Sequence, residues 1–198
     1  IGELLAEGAG KTAQSYCLDL ALQSIGIKDE FETSAMRHGT VNQHNAFEFI
    51  VKPKFHTSIW FDGWMPINEK CGSSPDILID GMPLDVKCPF HIDNYFEQIN
   101  HPPKKYYYQV QMQMMSTLAD IGFLMFYLTQ PESFGEEDWQ EYPISIDERH
   151  CILEFKKDNQ IHDQILAKVD EWHPKKQHLI EMLLLAEQMD ILTFFEMQ

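Results

Sequence analysis

Ser74-Pro75-Asp76-Ile77-Leu78-Ile79-Asp80-Gly81-Met82-Pro83-Leu84-Asp85-Val86-Lys87-Cys88-Pro89 is the stretch that decides the fold. Two β-rich runs flank an Asp-Gly step, the signature of a tight hairpin. With Gly81 and Met82 as the turn, Asp80 pairs with Pro83, Leu78 with Asp85 and Asp76 with Lys87. Side chains alternate along a strand. Asp76, Leu78, Asp85 and Lys87 therefore share one face, and Ile77, Ile79, Leu84 and Val86 form an apolar one. In this register Asp76 and Asp85 are diagonal neighbours, ~7 Å apart at Cβ, and Lys87 sits across from Asp76.

The polar face has a chemical logic. Two carboxylates at this spacing can ligate one Mg²⁺, which keeps several waters and accepts phosphate oxygens. Such an ion activates a water and offsets charge developing at phosphorus. A lysine beside it can orient that water or stabilise the charge. A phosphodiester is the natural substrate for the set. From these residues alone, an ordinary exposed hairpin and a cleft-lining one both stay open.

Outward from the hairpin, Lys11–Ile25 reads as a helix with Tyr16, Leu20 and Leu22 among its apolar positions. Met36–Val51 reads as a second, closed by Pro53. Thr57–Asp62 is strand-like. Lys104–Leu118 is a third helix, with Tyr107, Val110, Met114 and Leu118 as a core stripe and Tyr106, Gln109 and Gln113 as a polar face. Ile121–Thr129 and Tyr142–Asp147 read as strands. His150–Trp172 reads as a long helix broken at His173-Pro174, and an amphipathic helix follows from about Lys176 to Phe195. The order indicates a mixed α/β core with helices packed on it and a helical C-terminal segment. Residues 1–198 are expected to form a single domain, its core at about 36–129 and its C-terminal helices at about 150–198.

The 198 residues are 44% hydrophobic and 23% charged, which excludes global disorder. No apolar run approaches the ~20 residues of a membrane helix, and no signal peptide is visible. The chain opens mid-element at Ile1, as though a segment preceded it. A net charge of −16 argues against a protein that coats nucleic acid indiscriminately. DNA binding would need a local basic or metal-neutralised patch, for which Lys11, Arg37, Lys104 and Lys105 are candidates. Cys17, Cys71, Cys88 and Cys151 have no C-x-x-C spacing and read as reduced thiols. The nine histidines read as surface or structural groups, with His38, beside Gly39, the best exception. Met112–Met115 reads as core and Glu136-Glu137-Asp138 as a solvated loop. The apolar side of the last helix, with Leu183, Leu184, Leu185, Ile191, Leu192, Phe194 and Phe195, either packs on the domain or makes a subunit contact.

Pro75-Asp76 followed by Asp85-Val86-Lys87-Cys88-Pro89 resembles the PD-(D/E)xK nuclease signature. In particular it is similar to the lambda-exonuclease/YqaJ viral recombinase family. Met36-Arg37-His38-Gly39-Thr40-Val41-Asn42-Gln43 resembles the family's helix in which a glycine precedes an acidic residue by four. Tyr106-Tyr107-Tyr108-Gln109-Val110-Gln111-Met112-Gln113 resembles its Gln-Val-Gln helix. The three motifs agree in order and rough spacing over about Met36–Thr129. The resemblance implies a restriction-endonuclease-like fold and a Mg²⁺-dependent deoxyribonuclease, with Mn²⁺ as a substitute. It implies Asp76, Asp85 and the Val86 carbonyl as metal ligands and Lys87 as the catalytic lysine. Gln109 would position the lysine or the water, and Tyr106 would contact the scissile region. Ser74 matches a serine that helps to hold a 5′-phosphate, and Lys11-Thr12-Ala13-Gln14-Ser15 resembles a phosphate-contacting helix start, which brings in Ser15. The family further implies 5′→3′ digestion of double-stranded DNA ends to leave 3′ single strands. It also implies a single-strand annealing partner, a ring-shaped trimer, and a phage-encoded protein in a bacterial cytoplasm or another nucleic-acid compartment.

One residue departs from the pattern. Gln43 stands where the family expects glutamate as a metal ligand. Gly39, Gln43 and Phe47 share a helix stripe, while Glu48 lies ~140° around the helix and is no substitute. Glutamine keeps the shape and loses the anion. Either it is an inactivating substitution or it is natural, leaving a single-metal enzyme or a catalytically impaired DNA-end-binding protein. A related endonuclease is a third reading, which a closed circular substrate distinguishes.

Overall fold

The computed structural model describes residues 10–27, 33–129 and 144–196. Residues 32–162 form one compact unit, and residues 1–31 with 163–198 another. In the second, α1 (Gly10–Ser24) buries Ala13, Cys17 and Ala21, and the long C-terminal helix buries Ile165 and Val169.

The larger unit is built on a five-stranded sheet. It begins with α2 (Ser34–Ala46), capped by the Thr33 side chain, which accepts from Met36 N. The helix runs on through a π turn, Phe47–Val51, and a last turn, Lys52–Lys54. Pro53 sits inside that last turn rather than ending the helix before it. Then come β1 (Ser58–Trp60), a small ladder of β2 (Met65–Pro66) and β3 (Gly72–Ser73), and the hairpin strands β4 (Ile77–Ile79) and β5 (Met82–Lys87). Helices α3 (Ile92–Asn100) and α4 (Lys104–Thr117) connect β5 to β6 (Ile121–Tyr127). A 3₁₀ turn (Ile146–Glu148) precedes β7 (His150–Lys156), and α5 spans Asn159–Glu196. The strand order is β1-β4-β5-β6-β7, with β5 and β6 parallel and the other pairs antiparallel. This is the mixed α/β sheet flanked by helices that the sequence indicates.

A parallel pair needs a crossover connection, and α3 and α4 supply it between β5 and β6. The central β6, Ile-Gly-Phe-Leu-Met-Phe-Tyr, reads as a continuous apolar run because both of its faces are covered. Leu84, Val86, Met125 and Tyr127 join Ile77, Ile79 and the π-turn residues Phe47, Ile50 and Val51 in one core. Leu124, Phe126 and Leu128 join Val110, Met114 and Tyr95 in the other. Strand alternation thus sends Leu84 and Val86 to the α2 side, and Asp85 and Lys87 to the opposite side.

Several expectations are corrected. The hairpin turn is Asp80-Gly81, both at positive φ (51° and 83°), and the register pairs Ile77 with Leu84 and Ile79 with Met82. This is the type I′ turn that matches strand twist and favours Asp-Gly. The register slips by two from the expected one, so every residue keeps its face. Residues 150–156 form a strand, not the start of a helix: they pair along the whole of β6, from Ile121 with Lys156 to Tyr127 with His150. The helix starts only after Asp158, whose Oδ1 accepts from Gln160 N and Ile161 N. It continues through Pro174 without the expected break. Of the strand expected over Tyr142–Asp147, residues 142 and 143 lie outside the described residues and Ile146–Glu148 is a 3₁₀ turn. Helix α3 went unread, although Ile92, Tyr95, Phe96 and Ile99 carry helical spacing. Leu118 is 90% exposed at the left-handed end of α4 and not part of its core stripe. The Glu136–Asp138 loop and the side chains of Lys11 and of Ile191, Leu192, Phe194 and Phe195 lie outside the description. Among the described residues no helix is long and apolar enough to cross a membrane.

Candidate active site

Asp85 is fully buried on β5. Two residues on, and so on the same face, Lys87 brings Nζ to 2.7 Å from Asp85 Oδ2. The other oxygen, Oδ1, accepts from Gln109 Nε2 at 2.7 Å and from Gln113 Nε2 at 2.9 Å. The two glutamines are four apart on α4, hence on one helical face. Burying a carboxylate is costly unless its lone pairs are satisfied, and this one has three donors.

Asp76 lies just before β4. Where the ladder ends at Ile77, its side chain takes over: Oδ2 accepts from Val86 N at 2.6 Å. The observed register, extended one residue, sets Asp76 directly opposite Asp85 rather than diagonal to it. Burial, then the Asp85 carboxylate, push Asp76 up to about 7, against the opposing pulls of the Val86 N–H and Lys87. Lys87 is a firm ammonium: burial pulls its pKa down, but Asp85, then Asp76 and Tyr106, carry it above the ordinary lysine value. Its Nζ also stands 5.0 Å from the centre of the Tyr106 ring, and Lys105 Nζ stands 5.2 Å from the same ring.

Gln43, from α2, donates Nε2 to Val86 O at 3.1 Å and to Asp76 Oδ2 at 3.4 Å. A backbone carbonyl can only accept, so the amide nitrogen, not the oxygen, belongs there. Next to Lys87, Cys88 is held as a neutral thiol, since burial and then Asp76 raise its pKa. None of the four cysteines is in a disulfide.

The fold therefore gathers Asp76, Asp85, Val86, Lys87, Gln43, Gln109 and Tyr106 around one point. Gln109 contacts Asp85 rather than Lys87. Ser74 is exposed two residues before Asp76, and its carbonyl accepts from Gln113 Nε2 at 3.4 Å. Arg37, Lys104 and Lys105 are exposed, the last two at the start of α4. Ser15 is exposed on α1, in the other compact unit. Gln113 is the residue that reading the sequence left among the helix's polar positions without a role. Its spacing of four from Gln109 was the available signal.

Among the described residues no group of three or more His, Cys, Asp and Glu side chains gathers. The oxygen donors at this point are the Asp76 and Asp85 carboxylates and the Val86 carbonyl, while Gln43 presents its amide nitrogen. That hard-oxygen set suits Mg²⁺ or Mn²⁺. Burial, then the Asp85 carboxylate, disfavour the Asp76 anion, and a divalent cation between the two carboxylates would offset both.

Comparison with known proteins bears on the family and the fold. A family profile described as the YqaJ-like viral recombinase domain matches residues 1–120. The chain belongs to that family. No curated protein matches it significantly by sequence. Among solved structures, LHK-Exo, an alkaline exonuclease from Laribacter hongkongensis, superposes with a TM-score of 0.70 at 20% identity, covering 94% of this chain and 90% of that one. The same protein in complex with dAMP gives 0.71 with the same coverage. A phage-related exonuclease from Haemophilus somnus gives 0.73 at 19% identity, over 88% of this chain and 85% of that one. The fold is that of these phage and alkaline exonucleases.

Proposed function

We propose that the protein is a divalent-metal-dependent deoxyribonuclease that digests double-stranded DNA 5′→3′ from an end and leaves a 3′ single strand. The observation that carries this reading is the convergence of Asp76, Asp85 and Lys87 at one buried-to-open edge, with Asp85 oriented by Gln109 and Gln113. Asp76, Asp85 and the Val86 carbonyl would hold Mg²⁺ or Mn²⁺. When bound, such an ion supplies an acidified water and offsets negative charge on a phosphodiester.

The protein's own groups do the rest. Lys87 is fixed by Asp85 and the Tyr106 ring with its proton in place. It donates to a phosphate oxygen or orients the attacking water, and it does not serve as a base. Gln109 and Gln113 keep Asp85 from rotating. Gln113 also ties Asp85 to the Ser74 carbonyl, and the exposed Ser74 is the group to receive a terminal 5′-phosphate. Arg37, Lys104 and Lys105 give the strongly acidic chain local positive charge for DNA. A single-strand annealing protein and a trimeric ring complete the reading.

A second reading has its own support. Gln43 places an amide N–H against Asp76 and Val86 O, where a catalytic glutamate would bring an anion. This favours a DNA-end-binding protein with weak or no cleavage. One experiment separates the readings. The protein and its Gln43→Glu variant are incubated with Mg²⁺ or Mn²⁺ and either 5′-phosphorylated linear duplex or closed circular duplex. The nuclease reading expects nucleotides from the linear substrate alone and a surviving 3′-ended strand. Cleavage of the circle makes the protein an endonuclease, and inertness of both proteins leaves the binder.

A further inference from the structure

Gln43 occupies a position that the proposed chemistry needs for something else. Its Nε2 lies 3.1 Å from Val86 O and 3.4 Å from Asp76 Oδ2, two of the oxygens proposed to face a divalent cation. An amide NH₂ is the positive end of a dipole with two hydrogens to give. It does for these oxygens, in weaker form, what a cation does. Asp76 Oδ2 meanwhile accepts from Val86 N at 2.6 Å, so the three groups close into a small ring of donors and acceptors that needs no metal.

We infer that Gln43 is a built-in competitor for the metal rather than one of its ligands. In the cation-free protein its amide satisfies Asp76 and Val86 O. For a cation to touch those oxygens, the amide must swing away, because its N–H groups and the cation repel each other. Two hydrogen bonds are given up in the exchange, one of them to a carboxylate, so affinity falls by roughly tenfold relative to a site without the amide. A glutamate at this position reverses the sign: in the cation-free state it faces Asp76 and Val86 O, all of them acceptors, and a cation relieves the repulsion. With the glutamine in place, cation binding must first open a site that is stable when empty.

This inference rests on the proposed cation site, and the test is chosen so that the two fail differently. Mn²⁺ is titrated into the full chain and into Gln43→Ala, Gln43→Glu and Asp85→Asn, with free Mn²⁺ followed by electron paramagnetic resonance. Thermal unfolding in EDTA is measured in parallel. The competitor predicts that Gln43→Ala melts lower in EDTA yet binds Mn²⁺ roughly tenfold more tightly. It also predicts that Gln43→Glu binds more tightly than the parent. Should Gln43→Ala fail to fold, Gln43→Glu against the parent carries the comparison. If Gln43→Ala binds more weakly, or equally, Gln43 is a ligand or a bystander and the inference is overturned, while the cation site stands. If none of the proteins binds Mn²⁺, or if Asp85→Asn binds as well as the parent, it is the cation site itself that fails.

Discussion

Asp85 and Lys87 are two residues apart on β5, and their side chains meet at 2.7 Å on the α4 side of the sheet. Neither group is there for stability alone. A fully buried carboxylate and a lysine with 19% of its side chain exposed gain little over an apolar pair of the same volume. The arrangement makes sense as a charged site held ready.

Removing the lysine separates the two roles. In Lys87→Met, Asp85 keeps Gln109 and Gln113 but loses its counter-charge. Unfolding should be easier by about 3 kcal/mol, read from denaturant midpoints, and DNA cleavage should fall by roughly 10²-fold or more. Lys87→Arg keeps the charge but not the compact geometry, so it should restore most of the stability and little of the activity. Equal recovery of both would show that the charge alone matters.

The two glutamines should not be equivalent. Gln109 and Gln113 donate to the same oxygen of Asp85, but Gln113 is only 1% exposed and also reaches the Ser74 carbonyl. Gln113→Leu should therefore cost more stability than Gln109→Leu, by about 1 kcal/mol. It should also raise KM for a 5′-phosphorylated end, because the Ser74 segment loses its tie to Asp85. The double variant should lose more than the sum, since either glutamine alone still anchors Asp85. Additive losses would mean that the two act on separate targets.

Much of this was legible in the sequence, for a definite reason. Face assignment in a hairpin depends only on whether the register is odd or even, and the turn error of Gly81-Met82 for Asp80-Gly81 is a slip of two in pairing. Asp85 and Lys87 were thus placed correctly on one face by an argument with the wrong turn. Strand β7 was hidden because it pairs only with β6 and is half-buried on both faces, with Ile152 turned to one core and Leu153 and Phe155 to the other. No clean period survives that division. The role of Gln113 was hidden because nothing local distinguishes a glutamine on a solvated face from one whose side chain reaches a carboxylate 28 residues back and a carbonyl 39 residues back.

Gly122 controls the distance between β6 and the helix that carries both glutamines. A Cβ there would stand 2.8 Å from Met114 Cγ and Sδ and from Val110 Cγ1. Met114 is flexible enough to yield in part, while a buried β-branched Val110 is not. Gly122→Ala should destabilise by about 1–3 kcal/mol and push α4 outward. Since Gln109 and Gln113 ride on α4, cleavage should drop more than the loss of folded protein explains. Activity per folded molecule, corrected with far-ultraviolet circular dichroism at the assay temperature, checks this. Unchanged specific activity would uncouple the helix position from the site.

His38 should set part of the acid limit of stability. It is buried on α2 and accepts from Asn42 Nδ2 at Nδ1, 3.3 Å away. Its ring packs edge-on against Phe90. Burial lowers its pKa, with His91 adding to the effect and a hydrogen bond to the Pro89 backbone opposing it. A proton on Nδ1 would face the Asn42 amide donor. The folded state therefore prefers the neutral ring, while the unfolded chain takes up a proton at about pH 6.5. The stabilisation is present above that value and is lost as the pH falls through the lower, folded-state value. His38→Gln retains an acceptor and a donor but cannot titrate. Between about pH 7.5 and about pH 5, its urea-unfolding free energy should fall less than that of the parent. Parallel curves for the two proteins would assign the acid sensitivity to other groups and leave His38 as packing alone.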